Sequence, residues 1–395
     1  MRESRLSKGG TNLFQAIKAK RTEAADRGIK IINLSIGQPS GPALLSARKA
    51  AAEAVMSDQE SMHEYQDNGS PGVPDFARRF VQHHVGRLDG YLEEDIAFLP
   101  IPGIKPMLGL VPLACGCAEH NLMVATTTNP GYPTPAVWCE YLGPRVEQYS
   151  VPLNPDNGFL LQTKDIQLGT ALVMMNYAHN PSGQIATRKW LQQLCDFCER
   201  GNIRIFNDNP YYLLSHNSFS RTLAEVALDF EDLSWVEAFS ASKVINNGTG
   251  WRIGAMVGSQ DFIGDIAKIK GNTDSGFVAP MAAGVLHAIK NDRKSIEECR
   301  RTYAWRIDML TRILESYEME LAVRPGAGFF TLWKRPNMAF GERIKDAEHF
   351  NSLMIKRTGV VGVHFEPYIR YAVTGDIEAM ASDIEEAFKK AAVSY

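Results

Sequence analysis

The sequence predicts an α/β fold: a large domain with a mostly parallel central sheet, and a smaller α+β domain. Short apolar runs alternate with helical patterns through the middle of the chain, which is typical of parallel strands covered by helices. The amphipathic stretch 186–200 is one such helix, and we expect the large domain to span residues 45–285. The runs interpreted as buried strands are residues 122–128, 171–177, 203–208, 235–240 and 254–259.

The last third of the chain has a different pattern. A long helical stretch at 291–319 is followed by a glycine-rich strand at 324–333 and a closing helix. The helical pattern near residues 11–28 is expected to join this part of the molecule. We therefore assign residues 1–44 and 286–395 to the smaller domain.

Composition excludes several classes of protein. The net charge of −3 over 395 residues argues against a nucleic-acid footprint. No apolar run is long enough to span a bilayer, and the N-terminus lacks the apolar core of a signal peptide. Cys195 and Cys198 have a C-x-x-C spacing, but no second pair completes a zinc site, so we expect helix packing and no metal. We expect a cytoplasmic protein with reduced thiols that binds neither nucleic acid nor membrane.

Polar residues follow four of the predicted strands. They are Asn129 to Tyr132, Asn176 to Asn180, Asp208 to Tyr211, and Ser240 to Lys243. Ligands of parallel α/β sheets bind beyond the carboxyl ends of the strands. The pattern therefore predicts a site that brings together a lysine, an aspartate, an asparagine and two tyrosines.

Lys243 lies among small residues in FSASKVINNGTGWRIG (239–254), and small residues let other groups approach the backbone closely. A lysine at a strand end can bind phosphate, act as a general base or form a Schiff base. A Schiff base with pyridoxal 5'-phosphate requires three further features. They are a carboxylate for the pyridine nitrogen, donors for the phenolic oxygen and a phosphate cradle.

The sequence offers a candidate for each feature. Asp208 follows a buried strand, where it either pairs with the pyridine nitrogen or forms a turn. Tyr211 is placed to donate to the phenolic oxygen, and Tyr132 is either a ring-stacking residue or a core aromatic. The candidate phosphate ligands are Gly103, Ile104, Lys105, Ser240, Ser242 and Arg252.

Motifs along nearly the whole chain support one family. They are LSIGQPS (34–40), YQDNGSPGVPDFARRF (65–80), NPGYPTP (129–135), NYAHNPSGQ (176–184), DNPYY (208–212), SASK…GWRIG (240–254) and YIRYAV (368–373). In this order they resemble the class I/II, fold-type I, aspartate aminotransferase-like enzymes that depend on pyridoxal phosphate. The resemblance implies the fold, the cofactor and a homodimer with shared active sites.

The resemblance also implies roles for individual residues. The Gly37 backbone would contact the substrate carboxylate, which Arg370 would clamp with its planar guanidinium. Asn180 would bind a cofactor oxygen and help to hold the substrate. Tyr65 would reach the phosphate of the neighbouring subunit, and Lys243 would form the Schiff base and move the α-proton.

The implied function is transfer of an amino group from an L-amino acid to a 2-oxo acid. The same scaffold supports other reactions, so a C–S lyase or an aminocyclopropane-carboxylate synthase-like enzyme is the alternative. A non-enzymatic binding or regulatory relative is disfavoured. Both Lys243 and Asp208 are present, and the family match begins by residue 34, which leaves no room for a preceding DNA-binding domain. No G-x-G-x-x-G opens a helix, which excludes a nicotinamide-binding Rossmann enzyme.

Departures from the family pattern bear on the phosphate site and the substrate. The segment from Lys243 to Arg252 is one residue longer than usual, so the extra residue either loops out or displaces Arg252 from the phosphate. The segment from Tyr65 to Gly72 is also longer than usual. Lys105 resembles the lysine in a phosphate turn of the LL-diaminopimelate aminotransferases.

Overall fold

The structure is a computed structural model that describes residues 13–86, 88 and 95–395. The strands in these ranges are β1 (Ile32–Asn33), β2 (Ile96–Ile101), β3 (Leu122–Thr126), β4 (Val146–Ser150), β5 (Thr170–Met175), β6 (Arg204–Asp208), β7 (Trp235–Ser240), β8 (Gly254–Ser259), β9 (Leu321–Val323), β10 (Phe330–Lys334), β11 (Met338–Ala339), β12 (Glu342–Arg343), β13 (Val360–Val361), β14 (Val363–Phe365) and β15 (Tyr368–Ala372).

The helices in the same ranges are α1 (Leu13–Asp26), α2 (Leu45–Val55), α3 (Phe76–Val85), α4 (Ile104–Met107), α5 (Leu110–Ala114), α6 (Thr134–Tyr141), α7 (Arg188–Arg200), α8 (Ala224–Ala227), α9 (Ala241–Val244), α10 (Gln260–Lys270), α11 (Ala279–Asn291), α12 (Arg293–Ser316), α13 (Ala347–Thr358) and α14 (Ile377–Ala391). No helix in the part of the chain that the structure describes is long and apolar enough to cross a membrane.

The central sheet has seven strands in the order β2-β8-β7-β6-β5-β3-β4. The pairs from β7 to β4 are parallel, and only β8 runs against both of its neighbours. The predicted mostly parallel sheet is therefore confirmed. The sequence did not indicate that β8 is antiparallel to its neighbours. In a sheet covered on both faces, an apolar run does not show in which direction its strand runs.

The apolar strands of this sheet are buried on both faces. Along β5, Leu172 and Met174 pack into one hydrophobic cluster, and Val173 and Met175 pack into another on the opposite face. Alternate residues of a strand point to opposite faces, so covering both faces with helices requires an unbroken apolar run. This explains why the strand was recognisable from sequence.

A second sheet is antiparallel and has the order β14-β15-β10-β9. Helix α12 corresponds to the long helical pattern, and its N-terminus is capped by Asp292, whose side chain accepts from Ser295 N. The predicted strand at 324–333 begins only at Phe330, because Gly328 has a φ of +77° and turns the chain just before it.

The boundaries of the proposed domains stay a prediction, since a hydrophobic cluster on the central sheet also contains Leu332 and Tyr368.

Candidate active site

A cavity of about 760 Å³ lies where the carboxyl ends of β6 and β7 meet the second sheet. Its wall includes most of the residues expected at the site together with several that the motifs did not single out. The lining residues are Phe14, Ile36, Gly37, Gln38, Ile104, Lys105, Pro106, Tyr132, Trp138, Asn176, Asn180, Asp208, Pro210, Tyr211, Ser240, Ser242, Lys243, Thr249, Arg252 and Arg370.

The charge of this wall is unbalanced. Four of the lining side chains are lysine or arginine, and Asp208 is the single acidic one among the described lining residues. A concave surface with an excess of positive charge attracts anions. The cavity therefore suits a ligand that carries negative groups, such as a phosphate and a carboxylate.

Two of the expected residues stand apart from the others. Gly103 lies behind Arg252 in the wall and is not itself among the lining residues. Tyr65 is 78% exposed and does not line the cavity of its own chain. A single chain therefore does not bring Tyr65 to the site.

The short helix α9 places Lys243 at the cavity. Ser240 ends β7 and caps α9, since its hydroxyl oxygen accepts a hydrogen bond from Ser242 N at 3.2 Å. Burial and the neighbouring Arg252 lower the pKa of Lys243 to about 8, while Asp208 opposes that shift. A substantial fraction of this amine is therefore neutral near physiological pH, as a nucleophile or a base requires.

Asp208 ends β6, beside the strand that leads to Lys243. Burial raises the pKa of its carboxyl group to about 7, and Lys243 opposes the shift. In the described part of the chain, no group donates a hydrogen bond to its carboxylate oxygens, while its backbone oxygen accepts from Asn176 Nδ2 at 2.6 Å. A buried carboxylate that faces a cavity in this way fits a protonated ring nitrogen.

Arg252 and Gly103 form the next part of the wall. Arg252 Nη1 donates to the Thr249 carbonyl oxygen at 3.0 Å, and Arg252 has a left-handed φ of 56°. A Cβ atom added to Gly103 would lie 2.3 Å from Arg252 Nη2. The longer segment after Lys243 therefore leaves the Arg252 guanidinium at the cavity, packed against the glycine turn.

We expect Gly103→Ala to weaken phosphate binding by about tenfold or more. The new methyl group would displace the Arg252 guanidinium, and Gly103 has a φ of +78°, which strains any L-residue. The affinity of the protein for inorganic phosphate, measured by calorimetry, tests this. Gly169→Ala is the matched control, since Gly169 has a φ of +88° and no atom within 4 Å of the added Cβ. Equal phosphate affinity in both variants would contradict the role of this turn.

Arg370 on β15 is 1% exposed and forms the other end of the site. Its Nη1 donates to Asn180 Oδ1 at 3.0 Å, and its Nη2 donates to the Ser35 carbonyl oxygen at 2.9 Å. Its guanidinium carbon lies 4.2 Å from the centre of the Phe330 ring. A Cβ atom on Gly37 would stand 3.9 Å from Arg370 Nη2, so the Gly37 backbone borders the guanidinium.

This arginine has no ion-pair partner among the described residues, and its Nε has no hydrogen-bond partner there. Burial lowers the pKa of Arg370 to about 10, so the side chain remains cationic at neutral pH. A buried cation without a counter-ion is unfavourable unless an anion joins it. The arrangement therefore suits a carboxylate held by a planar guanidinium.

Two tyrosines complete the described wall. Tyr211 packs edge-to-face on Phe329 and Phe330, with ring centroids 5.5 and 5.7 Å apart, and burial raises the pKa of its hydroxyl group. Burial also raises the pKa of Tyr132. Both hydroxyls therefore remain protonated at neutral pH and are able to donate hydrogen bonds.

Sequence reasoning missed several lining residues. Phe14 and Trp138 lie on helices α1 and α6 and approach the cavity only through tertiary packing. Asn176 lies in a stretch that the sequence analysis placed at the site, but it was given no role of its own there. Its position directly after β5, one strand away from Asp208, was the available signal.

Comparison with known proteins identifies the family. The family model described as "Aminotransferase class I and II" matches residues 29–382. The chain belongs to this family. This aminotransferase is 30% identical over 392 residues to the LL-diaminopimelate aminotransferase of Syntrophobacter fumaroxidans, and the match covers 95% of each chain.

Solved structures show the same fold. The aspartate aminotransferase of Rhizobium meliloti has a TM-score of 0.85 at 20% identity, and the match covers 100% of both chains. A probable N-succinyldiaminopimelate aminotransferase of Thermus thermophilus has a TM-score of 0.83 at 20% identity, covering 96% of this chain and 100% of the other. The predictions of fold type I, of the family and of an amino-group-transferring enzyme are confirmed.

Proposed function

We propose that this aminotransferase uses pyridoxal 5'-phosphate, with Lys243 as its catalytic residue. The observation that carries the proposal is a half-buried lysine, Lys243, and a buried carboxylate, Asp208, that face one cavity with an excess of positive charge. When bound, pyridoxal phosphate supplies the carbonyl that receives the amino group and a ring that withdraws electrons.

The residues of the wall fit the parts of this cofactor. Asp208 would keep the ring nitrogen protonated, and Tyr132 would stack on the ring. Tyr211 and Asn180 would donate to the phenolic oxygen. The residues that would hold the phosphate are Gly103, Ile104, Lys105, Ser240, Ser242 and Arg252.

Lys243 would hold the cofactor and move the substrate proton. Its Nζ, when neutral, accepts the proton from the substrate α-carbon and then returns it during the transfer. A pKa of about 8 leaves this atom able to both accept and release a proton near neutral pH. The lowered pKa therefore supports the assignment.

The substrate α-carboxylate would lie between Arg370, Asn180 and the backbone of Gly37. Arg370 already donates to Asn180 and to the Ser35 carbonyl oxygen, so two nitrogens of the guanidinium are positioned by the protein. A carboxylate would supply the counter-ion that this buried cation lacks, and two parallel hydrogen bonds would fix its orientation.

We expect Arg370→Lys to raise the KM for the amino donor by about a hundredfold, with a smaller effect on kcat. Lysine keeps the charge but loses the planar fork and the hydrogen bonds to Asn180 and to the Ser35 carbonyl oxygen. Steady-state kinetics measures the change. Arg301→Lys is the matched control, because Arg301 is an exposed residue of α12 paired with Glu297. An unchanged KM in the Arg370 variant would refute the carboxylate site.

The first donor to test is LL-diaminopimelate, on which relatives of this chain are named to act. Gln38 in the cavity wall is a polar side chain outside the proposed phosphate site and supports a substrate with a polar distal end. The test is an absorbance spectrum of the purified protein with pyridoxal phosphate and a panel of amino acids added singly. A shift of the visible band with formation of a 2-oxo acid supports the proposal. Release of free ammonia together with the 2-oxo acid, with the visible band restored, would instead indicate a lyase.

We also propose a homodimer in which Tyr65 reaches the partner's phosphate site. Tyr65 is exposed, and the next two residues, Gln66 and Asp67, donate from their backbone nitrogens to the Ser275 carbonyl oxygen. Val278, three residues beyond Ser275, is also an exposed apolar side chain. Light scattering during gel filtration tests the assembly. The cytoplasmic location stays a prediction.

A further inference from the structure

A buried carboxylate lies behind the cavity and is not part of its wall. Glu237 is the third residue of β7 and is 0% exposed. Its Oε1 accepts hydrogen bonds from Asn207 Nδ2 and Asn209 Nδ2, both at 2.8 Å. Its Oε2 accepts from the backbone nitrogen of Ala224 at 2.9 Å. These donors converge on one side chain and satisfy its acceptor oxygens, while burial raises the pKa of the carboxyl group to about 7.

The two asparagines hold the backbone that follows β5. Asn207 Oδ1 accepts from Tyr177 N, and Asn207 Nδ2 donates to the Tyr177 carbonyl oxygen, both at 3.0 Å. Asn209 Oδ1 accepts from Ala178 N at 3.3 Å. The side chain of Asn207 thus continues the pairing of β5 with β6 beyond the last residue of β5. Because Asn207 and Asn209 flank Asp208, they also fix the end of β6.

From this backbone the hydrogen bonds continue into the cavity. Asn176 Nδ2 donates to the Asp208 carbonyl oxygen at 2.6 Å, and Asn176 Oδ1 accepts from Asn180 N at 2.9 Å. Asn180 Oδ1 then accepts from Arg370 Nη1 at 3.0 Å. These bonds are joined to those of Asn207 and Asn209 through the backbone of residues 176–178 and 207–209, and together they reach both Asp208 and Arg370 at opposite ends of the proposed site.

We propose that Glu237 is a positioning residue for amino-group transfer. Its carboxylate orients the amides of Asn207 and Asn209, and through them it sets the places of Asp208 and Asn180. The inference rests on the proposed function, because Asp208 and Asn180 are cofactor and substrate ligands only in that proposal. Glu237 itself does not line the cavity, so its effect is indirect.

Both oxygens of the Glu237 side chain accept hydrogen bonds, so the network needs two acceptors at this position. Glu237→Gln keeps the shape but replaces one acceptor oxygen with an NH2 group, which would face an N–H donor. One of the asparagine amides, or the Ala224 nitrogen, would lose its acceptor and rotate or withdraw. A fully satisfied buried network fixes a single arrangement, and a partly satisfied one does not. The loss would therefore spread to the Tyr177–Ala178 backbone and to Asn180.

The test compares Glu237→Gln with Glu225→Gln in the full-length protein loaded with pyridoxal phosphate. Glu225 is the matched control, because its partly buried carboxylate accepts from Thr222, at 2.8 and 3.1 Å, and does not contact the asparagines. We expect Glu237→Gln to raise both the KM for the donor and the Kd for pyridoxal phosphate about tenfold. We expect Glu225→Gln to leave both unchanged. The cofactor Kd is measured from the quenching of tryptophan fluorescence.

A purely structural role would give a different result. Glu237→Gln would then lower the midpoint of thermal unfolding, and the folded protein would keep the wild-type KM and cofactor Kd, which would overturn the proposal. Asn209→Ala provides a second reading if Glu237→Gln does not fold, because it removes one arm of the network and leaves Glu237 its bonds to Asn207 and Ala224. We expect it to raise the donor KM, and an unchanged KM would also overturn the proposal.

The cofactor Kd separates this inference from the proposed function. If the wild-type protein binds pyridoxal phosphate but transfers no amino group from any donor, the proposed function fails while the effect of Glu237 on the Kd remains measurable. If transfer is normal and Glu237→Gln behaves as Glu225→Gln does, only the inference about Glu237 fails.

Discussion

Lys243→Ala is expected to reduce amino-group transfer at least about a thousandfold. The variant loses the atom proposed to hold the cofactor and to move the substrate proton. The cavity wall offers no substitute near this position, because Lys105 and Arg252 are assigned to the phosphate. The measurement is the initial rate at which an added 2-oxo acid is converted to its amino acid, with an amino donor present and pyridoxal phosphate in excess. The visible absorbance of the bound cofactor, compared with free pyridoxal phosphate, is recorded in parallel.

Two control variants distinguish the positive charge of Lys243 from the reactivity of its amine. Lys243→Arg keeps a positive charge beside Asp208 but lacks a primary amine that can lose its proton near neutral pH, so it is expected to be as inactive as the alanine variant. Lys268→Ala removes a lysine that is exposed on α10 and is expected to retain the wild-type rate. A Lys243→Ala variant that works within a few-fold of the wild-type rate would show that this lysine is not the catalytic residue.

Much of the central sheet could be predicted because a strand that is buried on both faces is mainly apolar, which is visible in the local sequence. Strands β5 and β7 are covered on both faces, so they appear in the sequence as mainly apolar runs. The predicted run at 235–240 matches β7, whereas the predicted run at 171–177 extends two residues beyond the end of β5 at Met175. The position of the site could be predicted from the ends of these apolar runs. Polar residues such as Asp208 occur directly after these runs, and the carboxyl ends of parallel strands lie at one edge.

The rest depended on contacts between distant parts of the chain. Glu237 lies within an apolar strand, and only the pairing of β6 with β7 shows that Asn207 is its partner. The bond between Asn180 and Arg370 joins residues that are 190 positions apart. The approach of Phe14 to the cavity likewise comes from the packing of α1. No local sequence pattern encodes such pairs. The motifs therefore predicted which residues belong to the site, but not the hydrogen bonds that support them.

Asp208→Asn is expected to reduce kcat about a hundredfold or more while the protein still binds pyridoxal phosphate. Asparagine has the shape of aspartate but not its charge, so the ring nitrogen would lose the group that keeps it protonated. The amine of Lys243 would remain reactive. Asp208 raises the pKa of Lys243, so its removal should move that pKa below about 8 and increase the neutral fraction at pH 7.

The two effects have opposite signs, which makes this variant informative. The pH midpoint for chemical modification of the Lys243 amine in the cofactor-free protein should move to lower pH, while kcat of the loaded protein falls. Asp229→Asn, which changes a half-exposed partner of Arg188, is the control and should alter neither quantity. A variant with the wild-type kcat would instead identify Asp208 as a turn-forming residue at the end of β6. Loss of kcat with an unchanged midpoint would show that the charge of Asp208 does not affect the pKa of Lys243. The raised pKa of the Asp208 carboxyl group would then reflect burial alone.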